Sequence, residues 1–148
     1  MAGPLVREGC IFCKILAGEA SSSMVFEDNA CVAFLDVAMI RPGHTLVVPK
    51  DHAPRLSELD PEVGARLFRT GQKVAAALYG SLGCDGINLF LADGEAAGQD
   101  VFHAHLHVLP RFEGDGLGSA FRADEEKMAS REELDEVAEK IRNSFQRL

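Results

Sequence analysis

Residues 102–111 read Phe-His-Ala-His-Leu-His-Val-Leu-Pro-Arg, a run in which histidine alternates with apolar residues. Because the side chains of a β-strand point alternately to its two faces, this period of two predicts a strand over residues 104–109. His103, His105 and His107 would then share one face. The opposite face would carry the apolar residues Ala104, Leu106 and Val108 and pack into the core.

Three imidazoles in a row suit the transfer of a phosphoryl or nucleotidyl group. A neutral imidazole is a nucleophile near pH 7, a protonated imidazole neutralises phosphate oxygens, and a positioned histidine passes a proton to a leaving group. The loop at residues 94–100 contains two glycines, so its backbone N–H groups can approach an anion closely. The alternative is a solvated strand face without chemistry. That alternative is improbable, since the chain has only five histidines and three of them fall at period two.

The segments before the histidine run predict four more strands. Residues 24–27 and 31–35 flank the polar pair Asp28-Asn29, which indicates a β-hairpin. The β-branched residues 44–48, ending at Pro49, predict a third strand, and residues 87–91 predict a fourth.

Two helices are predicted from their start signals. Asp60 before Pro61 is typical of a helix N-terminus, and Ser130 to Glu133 has the form of a capping box. Apolar residues follow each start at helical spacing: Val63, Leu67, Val74, Leu78 and Leu82 in the first helix, and Leu134, Val137, Ile141 and Phe145 in the second. The elements therefore predict an α+β fold with a central helix and a C-terminal helix.

Composition limits the partners. The formal net charge of −8 argues against a broad electrostatic grip on nucleic acid, because phosphate backbones are held by clustered Lys and Arg. No apolar run approaches the ~20 residues of a membrane span, and the N-terminus lacks the layout of a secretory signal. We therefore expect no nucleic acid polymer and no membrane as partner, and a cytoplasmic location.

The run at residues 98–111 resembles the signature of the histidine triad (HIT) family. Residues 10–15, 34–36 and 43–52 also resemble segments of that family, in the same order, so the likeness extends from about Cys10 to Arg111. It implies a five-stranded antiparallel sheet with a central helix, usually paired into a homodimer. We expect one domain over residues 1–148, in which residues 113–148 form a C-terminal extension that ends in a helix.

The resemblance also implies roles for individual residues. The family forms a nucleotidyl-histidine intermediate, which makes His105 the nucleophile, His107 a ligand of the phosphate oxygens and His44 an orienting residue; His103 completes the catalytic cluster. A purine nucleoside would lie against the apolar residues Ile11, Phe12, Ile15, Phe34 and Val37. Asp36 would accept hydrogen bonds from the ribose hydroxyls, and the loop residues Gly98, Gln99 and Asp100 would lie at the phosphate.

Cys10 and Cys13 have the two-residue spacing of a zinc knuckle or of a redox pair. The redox interpretation needs a thioredoxin-like context that the sequence does not show. Two thiolates and two imidazoles satisfy tetrahedral zinc, and the positions that match the ligands of zinc-bearing HIT proteins are Cys10, Cys13, His52 and His103. The resemblance thus implies a structural zinc ion as cofactor. The alternative is a zinc-free chain with two free thiols.

Two positions depart from the family pattern. Ala92 stands where the Hint branch usually has asparagine, and Asp100 stands where serine often contacts phosphate. A carboxylate beside phosphate is repulsive unless it turns toward a histidine or a backbone N–H group. We hypothesise that Asp100 orients the catalytic cluster.

The resulting functional hypothesis is a purine nucleotide hydrolase of the nucleoside phosphoramidase type. Within the family, the alternatives are a dinucleoside polyphosphate hydrolase or a nucleotidyl transferase. From other classes, the alternatives are a nucleotide-binding scaffold without significant catalysis, which the intact triad disfavours, and a zinc-dependent structural module. The last would leave His44, His105 and His107 without a role.

Overall fold

The computed structural model describes residues 7–117 and 128–145. The strands are β1 (Met24–Glu27), β2 (Cys31–Leu35), β3 (Thr45–Pro49), β4 (Gly86–Phe90) and β5 (Leu106–Arg111). The helices are α1 (Ile11–Leu16), α2 (Pro61–Leu82) and α3 (Arg131–Phe145), with short 3₁₀ turns at Leu56–Glu58 and Glu95–Ala97.

The five strands form one antiparallel sheet in the order β1-β2-β3-β5-β4. The β1–β2 hairpin turns at Asp28, whose Oδ1 accepts hydrogen bonds from the N–H groups of Ala30 and Cys31 at 2.8 Å each. Strand β5 enters between β3 and β4, which places the histidine run inside the sheet. The predicted α+β class and the five-stranded antiparallel sheet are confirmed.

Helix α2 covers one face of the sheet. Its start is capped as predicted, because the Asp60 side chain accepts from the Glu62 N–H at 2.8 Å. Gly71 lies where the helix crosses β5: a Cβ there would come within 2.8 Å of Leu106 Cδ2, so any larger residue would require this buried leucine side chain to shift. Among the described residues, no helix combines the length and the apolar character that a membrane span needs.

Helix α3 belongs to the same core as α2. The predicted capping box is present, since Ser130 Oγ accepts from the Glu133 N–H and Glu133 Oε2 accepts from the Ser130 N–H. Leu134, Ala138 and Ile141 are buried in the cluster that also holds the apolar residues of α2 and of β5. The part of the C-terminal extension that the structure describes therefore helps to close the core; residues 118–127 and 146–148 of it lie outside the described residues.

Two elements differ from the sequence predictions. Strand β5 begins at Leu106 and not at Ala104, because the preceding backbone turns away: the Ala104 N–H donates to Ala53 O at 2.8 Å instead of joining the sheet. Helix α1, which no periodicity predicted, is six residues long and is capped by Cys10, whose Sγ accepts from the Cys13 N–H. Both differences occur where side chains converge on the cysteine pair described below.

Candidate active site and metal centre

The histidine run places its side chains largely as predicted. Ala104, Leu106 and Val108 are buried in the helix-side core, so the alternation of faces is confirmed. Only His107 lies within the strand, however, and the three rings do not form one row. His105 and His107 are neighbours, with ring centroids 4.9 Å apart, whereas the His103 ring joins the cysteines.

His105 is held in one tautomer. Its Nδ1 lies 2.7 Å from His103 O, and because a carbonyl oxygen only accepts, Nδ1 must carry the proton that is donated. The Phe12 ring packs edge-on against the imidazole at 5.0 Å between centroids. In the neutral ring, Nε2 therefore keeps a free lone pair, which is the requirement for a nucleophile.

His44 and His107 form a second, linked pair. The Ile40 N–H donates to His44 Nδ1 at 3.1 Å, so neutral His44 carries its proton on Nε2. That Nε2 donates to His107 Nδ1 at 2.9 Å, which leaves the His107 proton on its own Nε2. The Phe90 ring stacks on His107 at 4.3 Å between centroids and holds its plane. His107 is thus prepared to donate a hydrogen bond to an anion.

Burial keeps this pair uncharged. It lowers the pKa of His44 to about 4, with a smaller contribution from the charge of His105. It lowers the pKa of His107 to about 3, with smaller contributions from His105 and His44. Near pH 7 both rings are therefore neutral, and each tautomer follows from its hydrogen-bond partners.

A cavity of about 380 Å³ opens beside these histidines. Its wall includes nine of the residues that the sequence predicted for catalysis or nucleotide binding: Ile11, Phe12, Ile15, Phe34, Asp36, Val37, Asp100, His105 and His107. Phe12 and Phe34 meet edge to face at 5.4 Å between centroids and form an apolar corner. The cavity is therefore polar where the histidines lie and apolar where the phenylalanines lie.

Asp36 also lines this cavity. Its Oδ1 accepts from the Ala38 N–H at 3.0 Å, and its Oδ2 lies 3.8 Å from His44 Nε2, beyond hydrogen-bond distance. Burial raises the pKa of this carboxyl group, and the nearby Asp100 charge raises it further. Oδ2 remains available to a ligand.

The loop before the histidine run is fixed by Gln99. This buried amide accepts from the Gly94 N–H at 2.7 Å and donates to Pro54 O and Val101 O at 2.7 and 3.0 Å. Its polar atoms are thus occupied within the protein, and neither Gln99 nor Gly98 is part of the cavity wall among the described residues. Asp100 does reach the wall, and its Oδ1 accepts from the Val101 N–H at 2.9 Å. The carboxylate thus turns toward a backbone N–H group, one of the two directions considered above.

Cys10, Cys13, His52 and His103 converge at the end of α1, where one donor atom of each lies within 4.8 Å of all the others. The sulfur–nitrogen distances are 3.4, 3.5 and 3.7 Å, and the two Nδ1 atoms are 3.1 Å apart. Tetrahedral zinc with Zn–S and Zn–N bonds of about 2.3 and 2.05 Å requires edges of about 3.6 and 3.3 Å. The donor atoms therefore have the spacing of a tetrahedral zinc site.

The hydrogen bond of His103 also suits a cation. Its Nε2 donates to Pro49 O at 2.8 Å, so in the neutral ring Nδ1 is a lone pair that points at the sulfur atoms and at His52 Nδ1. Burial lowers the pKa of His103 to about 4, which keeps the ring neutral. Nitrogen lone pairs and thiolate sulfur atoms that face one another at these distances repel, and a metal ion between them would turn this repulsion into attraction.

Phe90, Leu46 and Arg131 are among the described residues of the site that the sequence analysis missed. Phe90 and Leu46 are the sheet partners of His107 on either side, a signal that appears only when the strand order is known. Arg131, the first residue of α3, also lines the cavity. Nothing local marks this arginine, because it lies 24 positions beyond His107 in the chain.

The fold and the site together define a histidine triad protein: a five-stranded antiparallel sheet with paired histidines at an internal strand and a cavity beside them. The HIT domain model matches residues 17–114. The chain therefore belongs to the HIT family, as the sequence resemblance indicated.

Named relatives add to this assignment. A Zn-bound histidine triad family protein from Mycobacterium smegmatis superposes with a TM-score of 0.83 and 38% identity, covering 94% of each chain. A hypothetical histidine triad nucleotide-binding protein from Sulfolobus tokodaii superposes with a TM-score of 0.84 and 33% identity, covering 94% of this chain and 93% of the other. The adenylylsulfatase HINT3 of Arabidopsis thaliana is 38% identical over 112 residues, which are 76% of this chain and 57% of that protein. The family thus includes nucleotide-binding proteins and a nucleotide hydrolase.

Proposed function

We propose that this protein is a purine nucleotide hydrolase of the nucleoside phosphoramidase type that works through a covalent intermediate on His105. One observation carries the proposal: the His103 carbonyl fixes the proton of His105 on Nδ1 and leaves the Nε2 lone pair of a cavity-lining ring free. This is the tautomer that a nucleophilic histidine needs.

The surrounding residues support the placement of a nucleotide. The Nε2–H group of His107, set by the relay from Ile40 through His44, would donate to an oxygen of the α-phosphate. Asp36 Oδ2 would accept from a ribose hydroxyl, and the purine would pack in the apolar corner of Phe12 and Phe34. Gly98 and Gln99 would act by holding the loop rather than by touching the ligand.

The reaction proceeds in two balanced steps. In the first, His105 Nε2 bonds to the α-phosphorus while the bond from phosphorus to the leaving nitrogen breaks, and the amine departs with a proton taken from water. In the second, water attacks phosphorus, the histidine–phosphorus bond breaks, and a proton returns to solvent. The sum is the hydrolysis of one phosphorus–nitrogen bond to an amine and a nucleoside monophosphate.

Structural zinc held by Cys10, Cys13, His52 and His103 forms part of this proposal. Four protein ligands leave no position for water, so the ion would crosslink α1 to the histidine run and take no part in the chemistry. Phe12 lies between the two cysteines and contacts both His103 and His105, which connects the metal centre to the cavity. Thiolate ligands must stay reduced, which accords with a cytoplasmic location.

A second candidate activity is the hydrolysis of a phosphoanhydride or a mixed anhydride. The similarity to the adenylylsulfatase HINT3 supports this candidate, because adenylyl sulfate carries an oxygen leaving group on the same α-phosphorus. The attack by His105 would be identical, so the two activities differ only in the leaving group. Transfer of the nucleotide to an acceptor other than water would likewise alter only the second step.

The test is a single-turnover reaction with adenosine 5'-phosphoramidate in rapid-quench format, followed by intact-mass spectrometry. We expect adenosine monophosphate and an adenylyl adduct that maps to His105. In His107→Ala the adduct should form and decay more slowly, because the hydrogen bond to the phosphate oxygen is lost. Binding of the nucleotide without adduct or product would contradict covalent catalysis and favour a binding protein.

We further propose that the chain forms a homodimer through β4 and α2. Strand β4 is an edge strand, and the large apolar side chains Leu89 and Phe68 are 37% and 55% exposed beside it. Phe68 lies one helical turn before Gly71, and a Cβ on Gly71 would be 4.0 Å from Leu89 Cδ2, so the two side chains form one patch. A second copy that pairs at this edge would cover the patch.

Phe68→Glu is expected to convert this dimer to a monomer, because a carboxylate would be buried in the apolar contact. Sedimentation velocity should show the loss, while the circular dichroism spectrum stays that of the wild type. Leu56→Glu is the matched control, since Leu56 is 45% exposed on a 3₁₀ turn outside the patch. A monomeric wild-type protein, or a dimer that survives the Phe68 substitution, would contradict the proposal.

A further inference from the structure

A row of paired residues crosses the sheet, and three of its members, Phe34, Leu46 and His107, line the cavity. Met24 of β1 pairs with Phe34 of β2, Phe34 with Leu46 of β3, and Leu46 with His107 of β5. Adjacent strands lie about 4.8 Å apart, so Phe34 is about 10 Å and Met24 about 14 Å from His107. The row therefore runs from the phosphate-binding histidine, past the apolar corner, to the start of β1.

Arg131 lies at the far end of this row. Its Nη1 donates at 2.7 Å to the Oγ of Ser23, the neighbour of Met24, and that hydroxyl donates in turn to Asp135 Oδ1 at 2.7 Å. Ser23 is buried, with 2% exposure, so this anchor is fixed. The backbone before the helix is also held to the cavity wall, because the Ala129 N–H donates to Val37 O at 3.2 Å.

The guanidinium group of Arg131 retains donors for a ligand. Arginine has five N–H donors, and within the described residues this one makes a single hydrogen bond and no ion pair. It lines the same cavity as His105 and His107. At three strands from His107, it lies too far along the row to share the α-phosphate.

With its phosphate at His107, a nucleotide that extends along the row would bring its base toward Arg131. Guanine carries two adjacent acceptors, O6 and N7, on one edge, and these match the arginine fork. Adenine offers N7 but replaces O6 by an amino group, whose hydrogens would meet the guanidinium hydrogens. We propose that Arg131 makes this protein select guanine nucleotides over adenine nucleotides, an inference that rests on the proposed nucleotide site.

The test is calorimetric titration of the full chain with guanosine and adenosine monophosphate, which needs binding but no catalysis. The wild type is expected to bind the guanine nucleotide at least about tenfold more tightly, the scale of one bidentate contact. Arg131→Met should remove that preference and leave adenine affinity within about twofold.

Arg142→Met is the matched control, because Arg142 also lies on α3 and also holds β1, through Met24 O, yet is outside the cavity wall. It should keep the wild-type ratio of affinities. If Arg131 only secured α3, Arg131→Met would lower the affinities for both nucleotides together or change neither. An unchanged ratio of guanine to adenine affinity would overturn the inference and leave the nucleotide site in place. Absence of binding by both nucleotides to the wild type would overturn the proposed function as well.

Discussion

His105→Ala is expected to reduce the single-turnover rate on a nucleoside phosphoramidate by on the order of 10³-fold or more, the scale on which loss of a nucleophile acts. Among the described residues of the cavity wall, no other group combines a free nitrogen lone pair with a tautomer fixed by a carbonyl. His107 does not replace it, since its Nδ1 accepts from His44 and its Nε2 carries the proton. Rapid-quench kinetics with the wild type and the variant measure the loss.

The matched variant is His105→Asn. Its side-chain N–H can replace the bond from His105 Nδ1 to His103 O, so the free energy of unfolding should stay within about 1 kcal/mol of the wild type while activity is lost. Urea denaturation separates this result from misfolding. A rate for either variant within tenfold of the wild type would exclude the covalent mechanism.

Removal of zinc is expected to destabilise the folded protein strongly. In small domains, the binding of structural zinc contributes about 10 kcal/mol or more to the free energy of folding. Here the ion would connect α1 to the core. We expect Cys13→Ser, or a strong chelator, to lower Tm by more than about 10 °C and to raise KM more than it lowers kcat. KM responds because Ile11 and Phe12, which line the cavity, lie between the two cysteine ligands.

Cys84→Ser provides the control. Cys84 is a buried free cysteine outside the metal cluster, so the same chemical change there should leave the zinc content at one ion per chain. Differential scanning calorimetry and elemental analysis of the same samples measure both quantities. If the wild-type protein purified without zinc and the chelator did not change its Tm, the four residues would not bind a structural ion.

Most of the fold was predictable because its signals are local. The Asp28 turn, the Asp60 cap and the Ser130 capping box each depend on hydrogen bonds within about four residues, and all were predicted correctly. The alternation of histidine with apolar residues also follows from the pleat of a single strand, so the faces of residues 104–108 were predicted correctly. Where a hydrogen bond to a distant part of the chain redirects the backbone, the prediction was wrong, as at the start of β5, where the Ala104 N–H donates to Ala53 O.

Within the site, the same division holds. The sequence by itself determined the family and the histidine run, because residue types and short spacings carry that information. The ligand set Cys10, Cys13, His52 and His103 followed from the resemblance to that family. The tertiary structure alone decided that the His103 ring leaves the row of His105 and His107, that His44 sets the proton of His107, and that Arg131 reaches the cavity. These relations join residues 63 to 108 positions apart, and no periodicity along the chain encodes them. They exist only because the strand order and the packing of α3 bring those residues within hydrogen-bond distance.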